Sequence, residues 1–153
     1  MNSLPMHKRD AARLAALQVL YEHCMDDKPV TIITDRYLRA QGADMGNGGT
    51  FLMDSHYFEH LLHAHEKNKV HIPAMINAVI EPKRRVERLE ILMASVLKLA
   101  SAEFLCQEDV SIATIINSWL GIADMYFGGG EKQFINGVLD RLGNSLRHSI
   151  TDE

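Results

Sequence analysis

The chain has 153 residues, 46% of them hydrophobic, enough for one domain spanning 1–153 to bury a real core. A formal net charge of −4 and a pI near 6.0 exclude a global basic field of the kind that drives strong non-specific DNA binding, but not a local basic patch. Two distant cysteines, Cys24 and Cys106, exclude a disulfide framework. No stretch approaches the about 18 apolar residues of a membrane span, so the expectation is a soluble, cytoplasmic protein.

In chain order, a first helix is predicted from Lys8 to about Met25. Ala12, Ala16, Val19 and His23 form one stripe, widened by Leu17, Leu20, Tyr21 and Cys24, and DDKP ends it. VTIITDRYLRAQ fits strand or helix, and its close in RYLRAQG favours helix. QGADMGNGGT reads as a loop by composition. SHYFEHLLHAHEKN is helical, with Ser55 as N-cap and Phe58, Leu61, Leu62 and His65 facing inward. IPAMINAVI is a short helix with Pro73 in its first turn, and Pro82 stops it. RVERLEILMASVLKLASAEFL is apolar on most sides, the mark of a central helix. Asp109 or Ser111 caps the next, whose stripe is Ile112, Ile115, Ile116, Trp119, Ile122 and Tyr126. The last helix is predicted from Glu131 to about His148, on Phe134, Ile135, Val138, Leu139, Leu142 and Leu146. With no alternating strands and no repeat, the fold class is all-α.

The stretch FGGGEKQFINGVLDRL, 127–142, invites a phosphate-loop reading and fails it. That loop needs G-x-x-x-x-G-K-[ST] after a buried strand. Here Lys132 follows Glu131, Gln133 stands where the hydroxyl is needed, and the preceding segment has helical periodicity. G-x-G-x-x-G cannot be laid on Gly128, Gly129 and Gly130 either. The glycines read as a helix stop, closed by a left-handed residue.

Phe134 to Leu142, FINGVLDRL, resembles the F-[VI]-N-G-V-L-D-[KR]-L motif of the NusB family of bacterial transcription antitermination factors. Three more motifs follow family order. Ala12, Arg13, Ala16, Gln18, Leu20 and Tyr21 match A-R-x-x-A-x-Q-x-L-Y. Tyr57, Phe58, Leu61 and Leu62 match Y-F-x-x-L-L, and Asp109, Val110, Ile116 and Asn117 match D-V…I-N. The likeness is weakest between about Asp26 and Asp54. It implies a fold of about seven helices in two packed helical subdomains, and binding of boxA RNA as a heterodimer with the ribosomal protein NusE. The pair then helps to assemble the antitermination complex on RNA polymerase, with no covalent chemistry and no cofactor.

A site for single-stranded RNA needs cations for phosphates and flat groups for bases. The resemblance carries the basic patch onto Lys8, Arg9 and Arg13 at the first helix start, and a second surface onto Lys132, Gln133 and Phe134. Each has a plain structural alternative. Lys8 and Arg9 also read as a solvated face, Arg13 as glue to Asp140, and Phe134 as core. Asn117 and Asn136 read as partners of buried backbone groups, and Gly137 as a point of close helix packing. Several positions depart from the family pattern. Asp10 interrupts the N-terminal cations, Asp124 replaces a lysine, and Gly129 and Gly130 replace an acidic pair. Glu103, Glu108, Asp109 and Asp124 form an apparent acidic face suited to a basic partner. RNA binding is therefore expected to lean on the heterodimer.

His56, His60 and His63 share a helical face opposite Phe58, and read as surface groups rather than as a metal site. KRRVER, 83–88, reads as a helix start paired with Glu81, Glu87 and Glu90, or as a secondary RNA contact. No Ser–His–Asp or Cys–His constellation supports an enzyme. The competing reading is a homodimeric interaction scaffold of the same fold that has lost RNA affinity.

Overall fold

The computed structural model, which describes residues 6–151, contains seven α-helices and one short hairpin, in two compact units, 1–62 and 63–153. In the first unit, α1 (Lys8–Asp26) is its spine, with Ala11, Ala12, Leu14, Ala15, Ala16 and Val19 fully buried. Alanine on several sides lets other elements approach the helix closely. Burial ends at Leu20, so Tyr21 and Cys24, expected to widen the apolar stripe, are exposed. DDKP stops the helix as expected, through Asp27 in the left-handed conformation (φ 55°) with its N–H on the His23 carbonyl. The ambiguous segment is helical, α2 (Val30–Ala40).

QGADMGNGGT is not an irregular loop. It carries β1 (Gly42–Asp44) and the start of β2 (Thr50–Leu52), an antiparallel hairpin pairing Gly42 with Leu52 and Asp44 with Thr50. Three-residue strands are too short to show alternation. Two features fix them. A Cβ at Gly42 would lie 2.0 Å from the Phe51 carbonyl oxygen, and Gly46 and Gly48 make the turn at φ 89°. The Gln18 side chain bonds both the N–H and the carbonyl of Asp44, each at 2.8 Å, which holds the hairpin on α1.

α3 (Ser55–Asn68) buries Phe58, Leu61, Leu62 and His65 as read from the sequence. Its cap is Asp54 rather than Ser55, since the Asp54 carboxylate accepts the Tyr57 N–H at 3.0 Å.

In the second unit, α4 (Ile72–Asn77) has Pro73 in its first turn. α5 (Ile91–Cys106) is the central helix, buried almost continuously from Met93 to Phe104 and packed against α4, α6 (Ile112–Ala123) and α7 (Gly129–Thr151). The predicted start of α5 inside KRRVER is instead two 3-10 turns, Pro82–Arg84 and Val86–Arg88. The Asn77 side chain accepts the Val86 N–H at 2.8 Å and donates to Glu87, giving the backbone a partner that a helix would not.

Ser111 caps α6, accepting the Thr114 N–H at 3.1 Å. Trp119, fully buried, donates its indole N–H to the equally buried Glu103 at 2.9 Å. The glycines do not stop α6. A turn at Asp124–Tyr126 does so first, which leaves Tyr126 exposed and off the stripe where it was expected. Phe127 then returns to the core, and Gly129 and Gly130 open α7. None of Gly128, Gly129 or Gly130 has positive φ, and the Gly128 N–H donates to the Glu131 carboxylate, half of a capping box.

Close helix packing falls on Gly143, not Gly137. A Cβ at Gly143 would meet Ile112 at 2.8 Å and Phe104 at 3.0 Å, whereas at Gly137 it meets only the Arg141 guanidinium at 3.6 Å. No helix among the described residues is long and apolar enough to cross a membrane.

Candidate nucleic-acid interface

The first candidate surface is the start of α1. His7 caps it, its ring accepting the Arg9 N–H, and Lys8 and Arg9 are exposed with no carboxylate partner among the described residues. Cations at a helix N-terminus oppose the helix dipole, a penalty of roughly 0.3–1 kcal/mol each that a bound anion relieves. Asp10, which interrupts the cations in sequence, does not neutralise them. Its carboxylate accepts a 2.8 Å bond from Arg13.

Arg13 lies only 2% exposed. Its guanidinium also donates to the Tyr57 hydroxyl at 3.2 Å and sits 5.2 Å from that ring's centre. The Arg9 guanidinium lies over the same ring at 4.9 Å. Of the three N-terminal cations named from sequence, the structure thus leaves two at the surface and takes the third inside.

The second candidate surface is the start of α7, and it divides. Lys132 and Phe134 are two residues apart, so they face opposite sides of the helix. Lys132 bonds the Asp124 carboxylate, along a groove of about 510 Å³ also lined by Leu120, Gly121, Gln133 and Asn136. Asp124 therefore does more than remove a lysine, because it also neutralises the next one. Phe134 is half-buried and lies under the guanidinium of Arg84, 4.7 Å from its ring centre. Arg84 is exposed and has no carboxylate partner among the described residues, while its neighbour Arg85 pairs with Glu87 at 3.5 Å. Arg141 shares the Phe134 side of α7, two turns on, held by a 2.8 Å bond to the Val79 carbonyl.

The cation over Phe134 is thus Arg84, and Arg141 follows about two turns on along the same side of α7. The basic run containing Arg84 was legible as a run, but nothing in sequence ties it to Phe134 fifty positions later.

Two further expectations change. Asn117 and Asn136 are exposed, and among the described residues neither bonds a buried backbone group. The acidic face shrinks to Glu108 and Asp109, because Glu103 is inside on Trp119 and Asp124 is engaged by Lys132. Charge counted along the chain cannot distinguish a buried carboxylate from an exposed one. His56, His60 and His63 are exposed, the first two with rings stacked at 5.2 Å. Among the described residues no three His, Cys, Asp or Glu side chains are grouped to hold a metal.

A model of the NusB family matches residues 10–144. The transcription antitermination protein NusB of Sphingopyxis alaskensis is 30% identical over 140 residues, covering 91% of this chain and 94% of that protein. Among solved structures, T. maritima NusB superposes with a TM-score of 0.72 at 25% identity, over 94% of this chain and 93% of that one. The antitermination factors NusB and NusE in complex with double-stranded RNA give a TM-score of 0.74 at 17% identity, over 92% of this chain and 98% of the matched one. That last likeness is one of fold.

Proposed function

The chain belongs to the NusB family, and we propose that it is a transcription antitermination factor that binds boxA RNA as a heterodimer with NusE. The pair helps to assemble the antitermination complex on RNA polymerase during ribosomal RNA transcription. In this reading residues 1–153 act as one cytoplasmic RNA-binding domain and perform no covalent chemistry. The observation that carries it is the exposed Lys8–Arg9 pair at the N-terminus of α1, left free because Arg13 takes up Asp10. RNA and NusE as partners draw support from the relative solved with both.

The roles divide by burial. Lys8 and Arg9 meet phosphates. Phe134 and Gln133 meet bases, one by stacking and one by hydrogen bonds. Lys132 contributes a charge weakened by Asp124. Arg13 is a positioning residue that holds Tyr57 beneath Arg9. With so few free cations, affinity for RNA alone is low and the heterodimer supplies the rest.

Anisotropy of labelled boxA RNA, titrated with the protein alone and then with an equimolar NusE-like partner, tests this. Salt-sensitive binding that sharpens with the partner and is lost in Lys8→Ala/Arg9→Ala is the expected result. Unchanged affinity on adding the partner contradicts the heterodimer. The burial of Arg13 and the neutralisation of Lys132 favour one second reading, a homodimeric scaffold without RNA affinity. It predicts no RNA binding in either titration, and a dimer on sizing.

A further inference from the structure

We propose that Arg84 is the upper jaw of a base clamp whose lower jaw is Phe134, and that one unstacked RNA base enters between them. The inference rests on the RNA-binding reading above and adds a base-contacting residue to it. Phe134 is half-buried on the first turns of α7, and the cover over its ring is a guanidinium 4.7 Å from the ring centre. A base adds about 3.4 Å of thickness to a stack. Arg84 has to lift by about that much to admit one, and its exposed, flexible side chain allows this without backbone motion.

The backbone beneath is held. Arg84 donates its N–H to the Glu81 carbonyl at 2.8 Å, and the flanking residues Glu81 and Arg85 are extended. No carboxylate among the described residues holds the guanidinium elsewhere, so the base competes only with a cation–π contact, weak at exposed sites. Both jaws suit the same ligand, because aromatic rings and guanidinium planes are the two surfaces on which proteins stack unpaired bases. The chain beyond the clamp finds a cation in Arg141, on the same side of α7. Between Phe134 and Arg141 lies Gly137, where a Cβ would meet nothing but the Arg141 guanidinium, so the helix floor there is flat.

The alternatives are that Arg84 caps the ring for stability alone, or that it touches phosphate as a simple charge. A double-mutant cycle on RNA affinity, measured with the NusE-like partner present, separates them. Arg84→Ala and Phe134→Leu are each expected to weaken binding about tenfold, and the double variant scarcely further. Arg84→Lys keeps the charge and loses the plane, so it is expected to behave like Arg84→Ala. Urea midpoints of Arg84→Ala and Arg84→Lys are expected to match the parent.

Full rescue by lysine, or additive losses in the double variant, overturns the clamp. So does an Arg84→Ala variant that binds RNA like the parent. If the parent itself binds no RNA with the partner present, the RNA-binding reading falls and takes the clamp with it, a result distinct from the others.

Discussion

In the first unit an aromatic ring, Tyr57, is 4% exposed and meets two arginines, of which Arg13 is itself buried and bonded to both Asp10 and the ring hydroxyl. In the second unit a half-buried ring, Phe134, meets one arginine, Arg84, which is exposed and has no carboxylate partner among the described residues. The two pairs look alike in composition and differ in what surrounds them. A buried guanidinium is tolerated only with its charge and hydrogen bonds answered, so removing it takes a charged partner from both the Asp10 carboxylate and the Tyr57 hydroxyl. An exposed guanidinium over a half-open ring has given up little hydration and leaves easily. The first arrangement holds a fold together, and the second can part without disturbing it.

The largest effect should come from breaking the first pair. Arg13→Ala is expected to lower stability by about 1.5–3 kcal/mol in urea unfolding, because the partly exposed Asp10 carboxylate and the Tyr57 hydroxyl each lose a buried charged partner. Arg84→Ala should stay within about 0.5 kcal/mol of the parent in the same assay. Equal losses would erase the contrast. Tyr57→Phe, which removes the hydroxyl bonded to Arg13 and almost no volume, is expected to cost about 1 kcal/mol, measured the same way.

The helix starts sharpen the comparison. α1 begins under a side-chain cap, whereas α7 begins on Gly129 and Gly130, where a Cβ would meet open space at helical φ. Gly129→Ala and Gly130→Ala should each raise stability by about 0.4–1 kcal/mol in thermal or urea unfolding. A loss instead would mean that the turn needs glycine for a reason other than chain entropy.

The smallest effect concerns the cysteines. Burial, with Glu103 nearby, pushes the Cys106 thiol up to about 11, from an ordinary 9.0. The folded state therefore favours the neutral thiol. The stability this contributes is fully present below about pH 9 and is lost as pH rises through about 11. Iodoacetamide at pH 8 should accordingly modify the exposed Cys24 well before Cys106, as followed by peptide mass mapping.

Helices were legible where an apolar stripe persisted for two turns or more, whereas α4 is shorter than that and was marked by Pro73, and α2 fitted a strand as well until its polar close. Their edges were legible where breakers cluster, as at DDKP, but the cap of α6 was narrowed only to Asp109 or Ser111, and the structure gives it to Ser111. Asp54 captured the α3 cap because its carboxylate happens to reach the Tyr57 N–H, and Asn77 diverted the start of α5 through bonds to residues nine and ten positions away. The hairpin escaped because a strand of three residues carries no period. At the candidate site, sequence supplied the residue types and motifs but not their burial. Arg13, Glu103 and Asp124 are ordinary charged residues until tertiary structure pairs each of them. Arg84 and Phe134 are brought together by a fold that no local pattern encodes.

The most direct test of the RNA-binding account is the salt dependence of boxA affinity, measured with the NusE-like partner for the parent and for Lys8→Ala/Arg9→Ala. Each phosphate contact on a single strand contributes about 0.7 to the slope of log affinity against log salt. The account predicts that the double variant loses about 1.4 of the parent's slope, along with affinity. Identical slopes would mean that Lys8 and Arg9 touch no phosphate, and would contradict the central claim.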